Sequence, residues 1–228
     1  MGIFDLLKKG KASVENEIAK LEKLANNNDI EAMFKLGNIH DKNGNYQECE
    51  KWWKKASDMG HVTAKYFLAL NYCGGMGGPA TLPLAVQYLT ELAEAGYTDA
   101  ARVLGGLHCR HSLTYNPMTA KFYDLHKAAK YILMSISSGI EDRWLIGAGD
   151  LGRIYAGRYI QNNMYQDTSL EDPLKAACLF YMSALDCDEV RGTYMDLLYK
   201  VAENAHLNID EDTLSRWRNN YNDCVFKL

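Results

Sequence analysis

GHVTAKYFLALNY (Gly60–Tyr72) and GYTDAARVLGGLH (Gly96–His108) stand 36 residues apart and share one frame. In each, a turn glycine is followed four residues later by Ala64 or Ala100 and eight residues later by Leu68 or Leu104. NDIEAMFKLGNIH (Asn28–His40) fits the same frame through Ala32, Leu36 and Gly37. There Asn28 replaces the glycine, as a left-handed helix end permits. Self-similarity at such a period marks a repeat architecture, in which each unit is one supersecondary element.

The frame extends outward. Cys49, Ala85 and Ala128 are each followed three residues later by Trp52, Tyr88 or Tyr131, and eleven residues later by Gly60, Gly96 or Gly139. Each unit therefore reads as two helices, since both patterns run at helical spacing. The first helix carries small residues where backbones pack closely (Gly37, Ala69, Gly105), and the second carries an aromatic and closes on glycine. A degenerate fourth copy has Leu151, Gly152 and Tyr155 in the first-helix slots, then Ala177, Phe180 and Ala184 in the second, with Asp188 in place of the closing glycine. Between Gly139 and Leu151 the chain is four residues longer than the frame, close to one helical turn, which keeps the buried face in phase.

An array leaves an apolar face open at each end and must cap it. Val14, Ile18, Leu21 and Leu24 give an amphipathic N-terminal helix, and Tyr194, Leu197, Leu198, Val201 and Ala205, then Leu214 and Trp217, give two C-terminal helices. The expected organisation is a capping region over 1–27, four repeats over 28–188 (28–59, 60–95, 96–138, 139–188) and capping helices over 189–228. Long stretches around 109–121 and 157–172, rich in Tyr, Asn and Ser, read as surface loops.

The order Ala-x-x-x-Leu-Gly-x-x-Tyr, Gly-x-Gly, Ala-x-x-Tyr and a closing Gly resembles the Sel1-like repeat family, a relative of tetratricopeptide arrays. The second unit matches best, through Tyr72, Gly75, Gly77, Ala85, Tyr88 and Gly96, although Gly78, Thr81 and Leu84 stand where the family usually has Val, Asp and Lys. The resemblance covers residues 28–188 and implies a right-handed α-solenoid whose members mostly serve as protein-binding adaptors, many of them bacterial. Some secreted, cysteine-rich members bind or slowly hydrolyse β-lactams. Ser57, Ala93, Ala64 and Ala100 occupy the region where their bridged cysteines recur, which argues against carrying that activity over and leaves it as the alternative of another class.

Composition narrows the partners. The 228 residues are 47% apolar and carry 25 Lys plus Arg against 29 Asp plus Glu. Without a sustained basic run there is no electrostatic footprint for a phosphate backbone, so no nucleic acid is expected. No window approaches the roughly 18 consecutive apolar residues of a membrane span. The start MGIFDLLKKGK (Met1–Lys11) places apolar residues before lysines, the reverse of a secretory signal. Met1-Gly2 is only a weak myristoylation signal, because Leu6 stands where Ser or Thr is expected. A cytoplasmic chain without membrane insertion is expected, its six cysteines (Cys49, Cys73, Cys109, Cys178, Cys187, Cys224) free and mostly buried.

Several motifs imitate chemistry. Gly147-Ala148-Gly149-Asp150-Leu151-Gly152 matches a dinucleotide fingerprint, yet that motif works only where a strand turns into a helix, and Gly152 holds the close-packing slot. Gly74-Gly75-Met76-Gly77-Gly78 lacks the Lys-Ser/Thr of a phosphate loop and reads as a turn. His108, Cys109, His111 and His126 form the local group of metal-capable residues, at a spacing that fits no strong zinc signature. No nucleophile elbow is present. The sequence thus gives no catalytic residue, no cofactor and no metal.

Two first-helix slots lie off the packing pattern. One holds Lys35, Phe67, Val103 and Asp150, and the other holds Asn38, Leu70, Gly106 and Arg153. Phe67 and Leu70 would form an apolar centre with a polar rim of Lys35, Asn38, Asp150 and Arg153, the anatomy of a protein interface. The expected function is a non-catalytic adaptor for a protein or peptide, with self-association through an array end left open. A narrower alternative is a bacterial immunity protein that neutralises a toxin, and a competing class is an enzyme or small-molecule binder built around His108 to His126.

Overall fold

A computed structural model of the chain describes residues 3–75, 79–109, 122–136, 144–160, 168–186 and 191–219. Among the described residues there are eleven α-helices and no strand. They form two compact units, Met1–Leu92 and Ala93–Leu228.

In the first unit α1 (Ile3–Asn26), α2 (Ile30–Lys42), α3 (Tyr46–Asp58) and α4 (Val62–Cys73) each pack on the next in chain order. Two of their junctions are built alike. Asn28 (φ 66°) and Gly60 (φ 91°) are left-handed, and the following residue donates its N–H back to the preceding helix, Asp29 to the Leu24 carbonyl and His61 to the Ala56 carbonyl. That same residue then caps the next helix: Asp29 Oδ1 accepts from the Ala32 N–H at 2.9 Å and His61 Nδ1 from the Ala64 N–H at 3.0 Å. One residue ends a helix and its neighbour starts another, which is why Asn or Gly followed by Asp or His recurs at these joints. α5 (Leu82–Glu94) is held to α4 by Lys65, whose Nζ lies 2.9 Å from Glu91 Oε2 and 5.6 Å from the Tyr88 ring centre.

The second unit continues the pairing with α6 (Thr98–His108), α7 (Leu125–Ile136), α8 (Trp144–Ala156) and α9 (Pro173–Asp186). α10 (Arg191–Asn204) packs on α9, and α11 (Glu211–Asn219) reaches α9 through Trp217, whose ring tilts against Tyr181. The core of this unit centres on Leu151, Ile154, Phe180, Leu198 and Val201, all fully buried.

Helix pairs close where a first helix has no side chain. A methyl at Gly37 would fall inside the Trp53 indole, one at Gly105 would lie 2.6 Å from Ile132 Cγ1, and one at Gly152 would lie 2.8 Å from Phe180 Cε1. These contacts also correct the fourth copy. The repeat frame sets Phe180 level with Trp52 and Tyr131, but it fills the place of Trp53 and Ile132, so α9 runs one residue out of the expected register, with Ala176 in the slot of Cys49 and Ala128. The sequence frame could not resolve this, because Ala176 and Ala177 are both small and both fully buried.

Two further expectations are revised. The N-terminal helix is amphipathic, but Val14 and Leu24 are exposed, and among its described side chains Ala25 is the buried one. Cys49, Cys73 and Cys109 are free thiols, whereas Cys178 is disulfide-bonded. Compartment arguments describe the average thiol, while a bridge depends on whether two Cβ atoms come within about 4 Å.

Gly152→Ala and Gly37→Ala should each destabilise the chain by about 1–3 kcal/mol through overpacking. At Gly192 an added methyl meets nothing within 4 Å, and Gly192→Ala should be neutral or gain up to about 1 kcal/mol from helix propensity. Urea midpoints compare the three, and a Gly152→Ala midpoint equal to wild type would show that the α8 and α9 backbones can separate at no cost.

Candidate functional site

The first unit brings aromatic rings from three helices into one stack. His61 and Phe34 lie 4.4 Å apart by ring centres, Phe34 and Phe67 lie 6.0 Å apart with planes 4° from parallel, and Phe67 lies 5.6 Å from Trp53. Phe34 comes from α2, Trp53 from α3, Phe67 from α4, and His61 from the residue that caps α4. Offset stacking at such distances contributes about 0.5–1.5 kcal/mol per pair beyond burial. Phe67 is therefore fixed on two sides while 36% of its surface stays open.

The expected rim residues of this unit take definite roles. Asn38 Oδ1 accepts the Trp53 indole N–H at 3.1 Å, so Asn38 orients the ring beneath Phe67. Lys35 lies 3.8 Å from Glu31 on the same helix, with more than half of each side chain exposed, a pairing worth little in water. Glu31 also faces His61 Nε2 at 3.4 Å. Because His61 Nδ1 accepts a backbone N–H, the ring proton sits on Nε2, aimed at that carboxylate. Leu70 is half-buried on α4.

The repeat pattern does not mark Phe34 or His61. His61 has a findable signal, since it occupies the cap position that Asp29 holds one repeat earlier. In the second unit Val103 is half-buried on α6, and Asp150 and Arg153 are half-buried on α8.

The residues that imitated chemistry are committed to structure. Gly149 and Gly152 lie inside α8, against Tyr194 and Phe180, and not at the strand-to-helix turn a dinucleotide needs. Gly74 caps α4 and Gly75 is left-handed (φ 99°), while Met76, Gly77 and Gly78 lie outside the described residues. His108 is buried, stacks on Tyr131 at 5.8 Å and donates from Nδ1 to the Phe122 carbonyl at 2.6 Å. His126 Nε2 lies 3.1 Å from Ser169 Oγ, and His111 lies outside the described residues. Among the described residues no group of three His, Cys, Asp or Glu could hold a metal ion. Burial pushes the Cys49 thiol up to about 12 and the Cys73 thiol up to about 11, which keeps both protonated near neutrality and poor as nucleophiles.

No family model matches the chain. The crystal structure of a Sel1 repeat protein from Oxalobacter formigenes matches it with a TM-score of 0.53 at 21% identity, over 84% of this chain and 69% of that one. The fold is that of a Sel1 repeat protein. At this identity the likeness is one of architecture, in which helix pairs follow one another as the sequence repeat requires. No described helix is long and apolar enough to cross a membrane.

Burial holds the His108 imidazole below its ordinary 6.5, against the opposing pull of the Phe122 carbonyl. The folded chain thus takes up this proton less readily than the unfolded chain, so the stability His108 provides is complete above about pH 6.5 and declines as pH falls below it. Asp124, held low chiefly by the Lys127 N–H, responds in a separate window below the ordinary 3.8. Melting curves stepped from about pH 7 to about pH 5 should fall more gently for His108→Gln than for wild type, and equal slopes would place the pH sensitivity elsewhere.

Proposed function

We propose that this chain is a non-catalytic scaffold that holds a protein or peptide against the first helices of its repeats. The observation that carries the reading is Phe67, a large apolar side chain clamped between Phe34 and Trp53 yet open to solvent. Interface anchors have this character: a ring already held in its bound orientation loses little conformational freedom when a partner covers it. Leu70 adds apolar surface, Lys35 supplies a charge at the edge, and Asn38 acts by fixing Trp53. In the second unit Val103, Asp150 and Arg153 occupy the equivalent first-helix slots. The repeats so used are 28–59, 60–95, 96–138 and 139–188.

A cytoplasmic setting fits the free thiols of Cys49, Cys73 and Cys109, while the disulfide at Cys178 is the feature that points the other way.

Affinity capture from source-cell lysate with wild type and Phe67→Glu/Leu70→Glu, both shown to be helical by circular dichroism, identifies the partner as the protein retained by wild type alone. With that partner purified, Phe67→Ala should weaken binding by at least about 2 kcal/mol, roughly 30-fold in Kd. A folded Phe67→Ala variant with unchanged affinity would assign Phe67 to internal packing and remove it from the interface.

A further inference from the structure

We propose that His61 is a protonation-sensitive cap: as the neutral imidazole it ties α4 to the aromatic stack, and as the imidazolium it gives up α4 and stays with α2. His61 acts in this way whether or not Phe67 meets a partner.

The two ring nitrogens answer to different helices. Nδ1 accepts the Ala64 N–H of α4 at 3.0 Å, and Nε2 lies 3.4 Å from Glu31 Oε2 of α2. The ring also stacks on Phe34 of α2, with centres 4.4 Å apart. Imidazole accepts through one nitrogen only while it is neutral, and in the imidazolium both nitrogens are donors. Protonation therefore sets an N–H against the Ala64 N–H and ends the cap. The same proton favours α2, because charge strengthens the pairing with Glu31 and a cationic ring is attracted by the face of Phe34. The backbone of His61 is held independently of its side chain: its N–H donates to the Ala56 carbonyl at 2.9 Å, and its carbonyl accepts the Lys65 N–H at 3.1 Å. The exchange is thus confined to one ring and the amide it caps.

The surroundings leave the ring free to respond. Among the described residues Glu31 is the carboxylate within 4 Å of it, and the side chain keeps 15% of its surface open to water. Lys35 of α2 lies 3.8 Å from the other oxygen of Glu31 and competes for that carboxylate. On the other packed elements Asp58 of α3 is paired with Lys54 at 3.8 Å, and Lys65 of α4 with Glu91 at 2.9 Å. The corresponding joints lack the device. Asp29 caps α2 through a carboxyl oxygen, which accepts in either protonation state, and Tyr97 gives α6 no side-chain cap. Imidazole is the side chain whose charge changes between about pH 5 and 8.

Nuclear magnetic resonance of the full chain, stepped from about pH 8 to about pH 5, tests this through the His61 ring nitrogens and the Ala64 amide. At the upper pH the ring should carry its proton on Nε2. As the ring takes up its second proton, the exchange protection factor of Ala64, which divides out the intrinsic pH dependence of exchange, should fall about fivefold, the worth of one side-chain cap. The Phe34 ring signals should shift in step, with the Lys65 amide unchanged. His61→Asn, whose amide oxygen accepts at every pH, should keep Ala64 equally protected throughout. A proton on Nδ1 at the upper pH, a ring still neutral at the lower one, protonation that leaves Ala64 untouched, or the same fall in His61→Asn would each overturn the proposal.

Discussion

Backbone-close crossings hold the helix pairs together. Where Gly37 meets Trp53, Gly105 meets Ile132 and Gly152 meets Phe180, a first helix offers bare backbone to a bulky side chain of the second. Removing one Cβ lets that side chain lie flat on the opposing helix, so dispersion contacts form along the backbone at native packing density. Across these three pairs the partner side chain changes from indole to sec-butyl to phenyl, and the glycine does not. Helix spacing is therefore set by the smaller partner, and the larger one is free to vary with the local core.

The aromatic stack of the first unit follows from the same constraint. Trp53 lies over Gly37 in an orientation that Asn38 secures through the indole N–H, and that orientation presents the ring to Phe67. Phe67 in turn lies on Phe34, and Phe34 on His61. A residue chosen for close packing in the interior thereby fixes, ring by ring, the position of one at the surface.

How much of this was legible in the sequence depends on whether a position repeats. The glycine, alanine and leucine slots recur with the period, and from them the helix pairs and the left-handed joint at Asn28 could be read. Phe34 is not legible in this way, because its counterparts are Tyr66 and Arg102 and the position does not repeat. The register of α9 was ambiguous because two adjacent alanines satisfy the same slot. The bond at Cys178 depends on proximity in space, to which periodicity is blind. The roles of Asn38 and His61 required distances, since both are single polar residues whose partners lie fifteen and thirty residues away.

The carbonyls of His40, His108 and Tyr155 share one further property. Each accepts the N–H of the residue that begins the next helix, respectively Asn45, Asp124 and Asp172. The intervening chain is short in the first case and much longer in the other two, yet it leaves and returns at the same bond. Because closure entropy grows only slowly with length, a segment inserted between such a carbonyl and its amide adds little cost and leaves the helices in place. The scaffold is in that sense modular at two ports, after His108 and after Tyr155, where new sequence can be spliced in without retuning the frame that carries it.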